Sequence, residues 1–396
     1  MRKVLLAAVT VGASLVLGLV LVEAGLRVAD WSRPPFYLYD IDTGTSHRPR
    51  AEGWYVEENA VRVSINRDGL RGPEIAREKP AATYRIAVLG DSFAEGFQVT
   101  FEERFSHVAE VALAGCAAAP GRVEIINFGV SGYGQARELL MLRHKAAAYA
   151  PDLVLVLFHG GNDFGNNMKA WEQNPFNPYY VWEGDRLVLD DSFRRNADFQ
   201  RKLRWSNLRN DVVAHSRLLQ VLQTVYENEI LVPALAEDAA TRRETVPEHS
   251  PMSLAPPADD GAREAWRTTE ALLLLMRDEA GGLGAALWLA NVPPAAAVTP
   301  DAEARRRELA LYGLAHPDYV ETRLRTFTAA SGIGMVPLTE PLRAAARAAG
   351  VDPHYHAWRG SLGGHWNAMA HRVAGEAIAR DICAAFGDGR LGRSRS

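Results

Sequence analysis

Cysteine is scarce in this chain. Two residues, Cys116 and Cys383, in 396 exclude a cysteine-based zinc cluster and a disulfide-rich scaffold. Sequence leaves open whether the two form a single bridge, because the Cα separation that decides it is not encoded in spacing. An excess of positive charge is also missing. A formal net charge of −4 and a pI near 6.3 leave no basic stripe to neutralise phosphates, which argues against a nucleic-acid partner. No internal repeat is present. What is abundant is apolar surface: 47% of residues are hydrophobic, enough at this length for one large domain or two small ones.

The N-terminus carries an uncharged apolar run, Val4 to Val22, directly after Arg2 and Lys3. As a helix it would span about 28 Å, close to a bilayer core. Arg2 and Lys3 favour the cytoplasmic side, which puts everything after Glu23 across the membrane. The expected location is therefore the inner membrane, single-pass, with the main domain periplasmic or extracellular. The alternative is secretion after signal cleavage, for which Val22-Glu23-Ala24 offers small residues at suitable offsets, although the apolar run is long for a signal peptide. On either reading the two cysteines meet an oxidising compartment.

Residues 1–30 are thus read as a membrane anchor or signal segment, and 31–83 as an extended, proline- and aromatic-bearing collar. Within the collar, Asn66 to Gly72 has the Asn, Asp and Gly of tight turns. From residue 84 to 390 apolar runs alternate with helical patterns. Strands are expected at Arg85–Leu89, Val123–Ile126, Leu153–Phe158, Ala285–Ala290 and Ile333–Val336. Helices are expected at Phe105–Leu113, Gln135–Tyr149, Arg263–Glu279, Pro317–Ala330 and Ala368–Phe386. Continuous apolar strands between helices indicate a doubly wound, flavodoxin-like parallel α/β sheet of about five strands with helices on both faces. Residues 164–262 interrupt the alternation as an insertion. It holds the aromatic stretch Trp171 to Trp182, a short hairpin around Asp185–Leu189, a helical pattern over Leu203–Leu231 and a Pro- and charge-rich loop over Ala236–Gly261. The aromatic stretch reads either as the wall of a substrate site or as a cluster covering sheet surface.

Four blocks follow one another in the α/β region: Gly90-Asp91-Ser92-Phe93, then Asn127-Phe128-Gly129-Val130-Ser131-Gly132, then Gly160-Gly161-Asn162-Asp163, then His365-Trp366-Asn367. Each of the first three sits directly after an apolar run, at the strand ends where open parallel sheets bind ligands. In order and placement they resemble the SGNH, or GDSL-type, hydrolases, over about Tyr84 to Ala384. The Asn66–Gly72 segment is similar to one that often precedes the serine turn in membrane-anchored bacterial members. The resemblance implies an esterase without metal or cofactor, acting on an acyl ester. It implies Ser92 as nucleophile and His365 as base. The oxyanion site would be formed by the Ser92 N–H, the Gly132 N–H and the Asn162 amide, with Asp91 capping the serine turn and Asp163 orienting Asn162.

The residue types suit these tasks. A serine hydroxyl needs a base within hydrogen-bond reach, and an imidazole near its ordinary pKa both takes and returns a proton. Glycine lets backbone approach a substrate, and an amide is a donor that does not titrate. His371, one turn into the last helix, reads as a capping or packing residue. His354 and His356 with His365 lack the carboxylate or cysteine spacing of a metal site. Ser131 is the weaker nucleophile, because Tyr133 stands where a nucleophile elbow needs glycine. One departure matters. The family places an aspartate two or three residues before the histidine, where this chain has Gly363 and Leu362. The group orienting His365 is left open between a carbonyl of Leu362 or Gly363, Asp352, and another carboxylate. The expected function is hydrolysis of an O-acylated envelope glycan or lipid, with Trp171, Tyr179, Tyr180 and Trp182 offered as faces for sugar rings. The alternatives are an O-acyltransferase on a cell-envelope polysaccharide and a non-catalytic binding protein on the same fold.

Overall fold

In the computed structural model, residues 1–227, 254–311, 314, 317–357, 361–362 and 364–392 are described. Helix α1 (Arg2–Val28) contains the apolar run and buries none of its residues. The collar, expected as extended chain, instead folds into two antiparallel hairpins. Strand β1 (Tyr37–Asp40) pairs with β2 (Gly44–His47), and β3 (Glu52–Val56) with β4 (Ala60–Ser64). Alternation decides this locally: Val61, Val63 and Ile65 turn inward with Phe36 and Ala51 onto Phe97, while Arg62 and Ser64 face water.

The α/β domain then runs β5 (Thr83–Gly90), α2 (Ser92–Glu95), α3 (Phe105–Leu113), β6 (Arg122–Asn127), α4 (Gln135–His144), β7 (Leu153–His159) and α5 (Asp163–Asn167). The insertion contributes hairpin β8 (Tyr179–Glu183) and β9 (Arg186–Asp190), then α6 (Asn207–His215) and α7 (Arg217–Tyr226). After it come α8 (Asp260–Gly282), β10 (Ala286–Val292), α9 (Tyr319–Ser331), β11 (Gly334–Pro337), α10 (Thr339–Ala349) and α11 (Ala368–Gly387). The expected helix over 135–149 is shorter. It gives way to a tight turn at Ala146–Tyr149, and Ala150 takes a left-handed φ of 48° before Pro151, where α geometry is disfavoured. Of the loop expected over 236–261, residues up to 253 lie outside the described part.

The sheet order is β6-β5-β7-β10-β11, all parallel, the doubly wound order expected. Side chains alternate between two cores. Ala87, Leu89, Val154, Val156, Phe158, Leu287 and Leu289 face α4, α8 and α9, while Ile86, Val88, Leu155, Leu157, Trp288 and Ala290 face α3 and α11. Cys116, just after α3, and Cys383 of α11 form a disulfide with a Cα separation of 5.8 Å.

The aromatic stretch packs over helices α4 and α8, which cover the sheet, more than it lines an opening. Tyr179 and Tyr180 are buried, and Tyr180 accepts a hydrogen bond from Arg143, so neither offers a face to a sugar. Trp182 donates to Thr268 and lies under the Arg267 guanidinium. Trp171 packs half-buried against the core.

Candidate active site

Strand β5 ends at Gly90 with φ 154°, and a Cβ there would stand 2.7 Å from that of Ala94 and 3.1 Å from that of Leu157. Only glycine permits the chain to turn this tightly into α2. Asp91 caps the turn, accepting from Phe93 N–H at 2.9 Å, and its other oxygen takes a hydrogen bond from His159 Nδ1 at 3.3 Å. Ser92 is thereby fixed at the first position of α2. Its N–H, and that of Gly132 (φ 75°), donate to no group among the described residues. Gly129 packs the second block against Ala94 and Glu95.

His365 enters from the far end of the chain. Its Nε2 accepts the Ser92 hydroxyl at 2.7 Å, and its Nδ1–H donates to Glu58 at 2.7 Å. Glu58 sits at the tip of the β3–β4 hairpin, in the collar. It also accepts from Gly364 N–H, and the neighbouring Asn59 ties the tip to the Gln98 carbonyl at 3.0 Å. The carboxylate that orients the imidazole is therefore Glu58. Asp352 is engaged elsewhere, accepting from His354 N–H; both ring nitrogens of His365 are taken by Glu58 and Ser92, and Gly363 lies outside the described residues. His356 donates from Nε2 to the His365 carbonyl at 3.0 Å, so it holds the His365 backbone. Phe93 packs against His365, with ring centres 5.2 Å apart.

Charge follows the same geometry. Burial pulls the His365 pKa down, but the hydrogen bond to Glu58 and its charge, with Asp91 and Glu95 further off, outweigh this and leave it raised. For Glu58, burial pushes the pKa up, and the His365 hydrogen bond and charge with the Gly364 N–H bring it below the usual carboxylate range. His371 is buried and accepts from Phe105 N–H. Burial and the nearby Arg71 and Arg104 lower it to about 3, so it packs as a neutral ring.

The third block differs from expectation in one respect. Asp163 does not touch the Asn162 amide. Its carboxylate accepts from His159 N–H at 2.9 Å and from Gln135 at 2.7 Å, fastening the end of β7 to α4. Burial, with the nearby charges of Asp91 and Glu138, pushes Asp163 upward. The Asn162 side chain makes no hydrogen bond among the described residues, and its Oδ1 is buried without a partner.

Sequence reasoning missed a second tie between collar and site. Buried Glu95, at the end of α2, accepts from His47 at 2.6 Å, from the Tyr37 hydroxyl at 2.9 Å and from Ser131 N–H at 3.1 Å. Arg71, from the turn-rich Asn66–Gly72 segment, reaches the carbonyls of Gly96 and Val99. The alternation over Glu52–Ser64 marks a hairpin, but no local pattern marks its tip as a partner for a histidine 307 positions away.

A hydroxyl bonded to an imidazole, a carboxylate on the other ring nitrogen and N–H groups without a partner among the described residues are the parts that acyl transfer requires. No curated protein sequence matches the chain. Similar solved structures include an acetylxylan esterase from Geobacillus stearothermophilus, at 13% identity and TM-score 0.37, covering 76% of this chain and 94% of that one. Another is a GDSL-like lipase from Bacteroides thetaiotaomicron, at 14% identity and TM-score 0.35, with coverages of 80% and 93%. A third is an α/β hydrolase enzyme from the metagenome of Lake Arreo, at 14% and 0.36, with coverages of 77% and 95%. Residues 88–373 match the model of the GDSL-like lipase/acylhydrolase family; the chain belongs to that family and is a serine hydrolase of ester bonds.

Proposed function

We propose that Ser92 attacks the acyl carbonyl while His365 takes its proton, and that Glu58 is a positioning residue that holds the Nδ1–H tautomer and supports the imidazolium as it forms. His365 then returns the proton to the leaving alcohol, and the acyl-enzyme is released by water activated in the same way. The N–H groups of Ser92 and Gly132 and the Asn162 amide are the donors for the oxyanion. The observation that carries this reading is the unbroken hydrogen-bonded line from the Ser92 hydroxyl through both ring nitrogens of His365 to Glu58. That line supports the enzymatic reading over the non-catalytic alternative, because the imidazole has a carboxylate to orient it.

The substrate we infer is an O-acylated envelope glycan or lipid, because α1 has the length and mean hydropathy of 2.6 suited to a membrane anchor and would hold the site beside the envelope. The deciding experiment is hydrolysis of an activated acetyl ester by the full chain and by Ser92→Ala. Loss of turnover in the variant is expected, and equal rates would exclude Ser92 as nucleophile for that substrate.

A further inference from the structure

The insertion carries an apolar and cationic face that the reaction does not use. Trp205, Leu208 and Val212, along the Lys202–Ser206 turn and α6, are each more than half exposed. So are Leu222, Val225 and Tyr226, which share one side of α7. Monomeric proteins rarely leave so many large apolar side chains in water on adjoining helices. Around them the stretch Arg201 to Arg209, reading RKLRWSNLR, holds four cations and no carboxylate; Arg201 pairs with Asp198 at 2.8 Å, and Arg204 and Arg209 are exposed.

The position of this face relative to α1 says what meets it. Glu23, the first charged residue after the apolar run, accepts from the Ser216 hydroxyl at 3.0 Å, Arg217 N–H at 3.1 Å and Leu218 N–H at 2.9 Å. It thus caps the N-terminus of α7 from another helix. One turn later Arg27 donates to the His215 carbonyl at 2.8 Å. The junction of α6 and α7 is therefore bolted to α1 at the level where a spanning helix leaves hydrocarbon. The pair is also fixed to the collar, through Asn207 with the Tyr39 backbone and Arg48 with Asp211. Just beyond that level, Ala29 to Arg33 with Trp54, Val56 and Ala60 line a groove of about 460 Å³, adding Trp31 and Trp54 at the depth where interfacial aromatics sit.

We propose that this face, Trp205, Leu208 and Val212 with Leu222, Val225 and Tyr226, seats on an anionic phospholipid surface, so that the enzyme lies on the bilayer beside its anchor. Apolar side chains enter the headgroup boundary while the surrounding arginines pair with lipid phosphates, the pattern of interfacial amphipathic helices. The inference rests on reading α1 as an uncleaved anchor.

Both native cysteines are paired, so an introduced cysteine carries a nitroxide alone. Full-length Leu208→Cys, Leu222→Cys, Leu15→Cys and Val111→Cys would be labelled in vesicles of phosphatidylcholine with phosphatidylglycerol. Depth would be read from collisions with oxygen against a water-soluble nickel chelate. The expected result places labels 208 and 222 about 5–10 Å into the boundary, label 15 in the bilayer interior and label 111 in water, with 208 and 222 shallower in phosphatidylcholine alone. Labels 208 and 222 in water while label 15 is in the bilayer would overturn the proposal and leave the anchor standing. Label 15 outside the bilayer would overturn both. Labels 208 and 222 shielded from oxygen and nickel alike would show a protein contact in place of lipid, and equal depth in both lipids would remove the anionic requirement.

Discussion

The parallel sheet and the collar give His365 its two partners, and they are built in opposite ways. The sheet buries apolar side chains on both faces, and the helices over its α3–α11 side are clipped by Cys116–Cys383. The collar has a small apolar cluster around Phe97 and is held otherwise by directional polar ties: Tyr37 and His47 to Glu95, Arg71 to Gly96 and Val99, Asn59 to Gln98. Ser92 thus stands on the stiff region, and Glu58, behind His365, on the region that polar substitutions can loosen. Ser92–His365 geometry belongs to the fold, whereas the Glu58 contact depends on docking.

The largest effect that separates the two regions is expected from Glu58→Gln. Where a triad carboxylate is replaced by an amide the rate falls by up to about 10⁴, and Glu58→Asp should recover part of it. The pH profile gives the sign. His365 must be neutral to act as base, and Glu58 raises its pKa. Removing that charge should move the acid limb of kcat/KM to lower pH even as the plateau falls. A hairpin that only stabilised the fold would lower the rate without moving the limb.

Asn162→Ala tests the sheet side alone. Loss of one oxyanion donor costs about 10² to 10³ in rate. Because the Asn162 amide bonds nothing among the described residues, thermal stability should hold and the acid limb should stay in place. The opposite behaviour of Glu58→Gln and Asn162→Ala in the pH profile is what the two-region account requires.

The same division explains what could be read from sequence. Strands β5, β6, β7, β10 and β11 announce themselves as apolar runs, since buried parallel strands need no polar face. Ser92, Gly132 and Asn162 sit at their ends in recognisable blocks. Glu58 and Glu95 carry no such mark. Their significance arises from tertiary packing between chain segments far apart, Glu58 against His365 and Glu95 against Tyr37 and His47. Asp163 shows the converse: its place beside Asn162 in the sequence suggested a partner, but the helical turn aims its carboxylate at His159 N–H and Gln135.

Opening the disulfide sharpens the stability side of the comparison. Cys383→Ser should cost about 2–4 kcal/mol by freeing a long loop of the unfolded chain, measured by urea unfolding. The loss should fall on α3 and α11, which the bridge joins, and the activity of the folded fraction should be retained.

The smallest and most selective change is Glu95→Gln. One carboxylate oxygen of Glu95 accepts from both His47 and Ser131, and the Tyr37 hydroxyl reaches both oxygens. An amide keeps one oxygen for His47 and Ser131 and turns its NH2 to the Tyr37 hydroxyl, but it removes the charge that strengthens these buried hydrogen bonds, at about 1–3 kcal/mol. The sheet keeps its apolar cores, so that cost should appear as local opening. Amide exchange should rise in β1 to β4 while β5, β7 and β10 stay protected, and the rate should fall because Glu58 rides on the loosened hairpin. If exchange rises equally in the collar and the central strands, the two unfold as one unit. The carboxylate behind His365 is then as firmly placed as the serine in front of it.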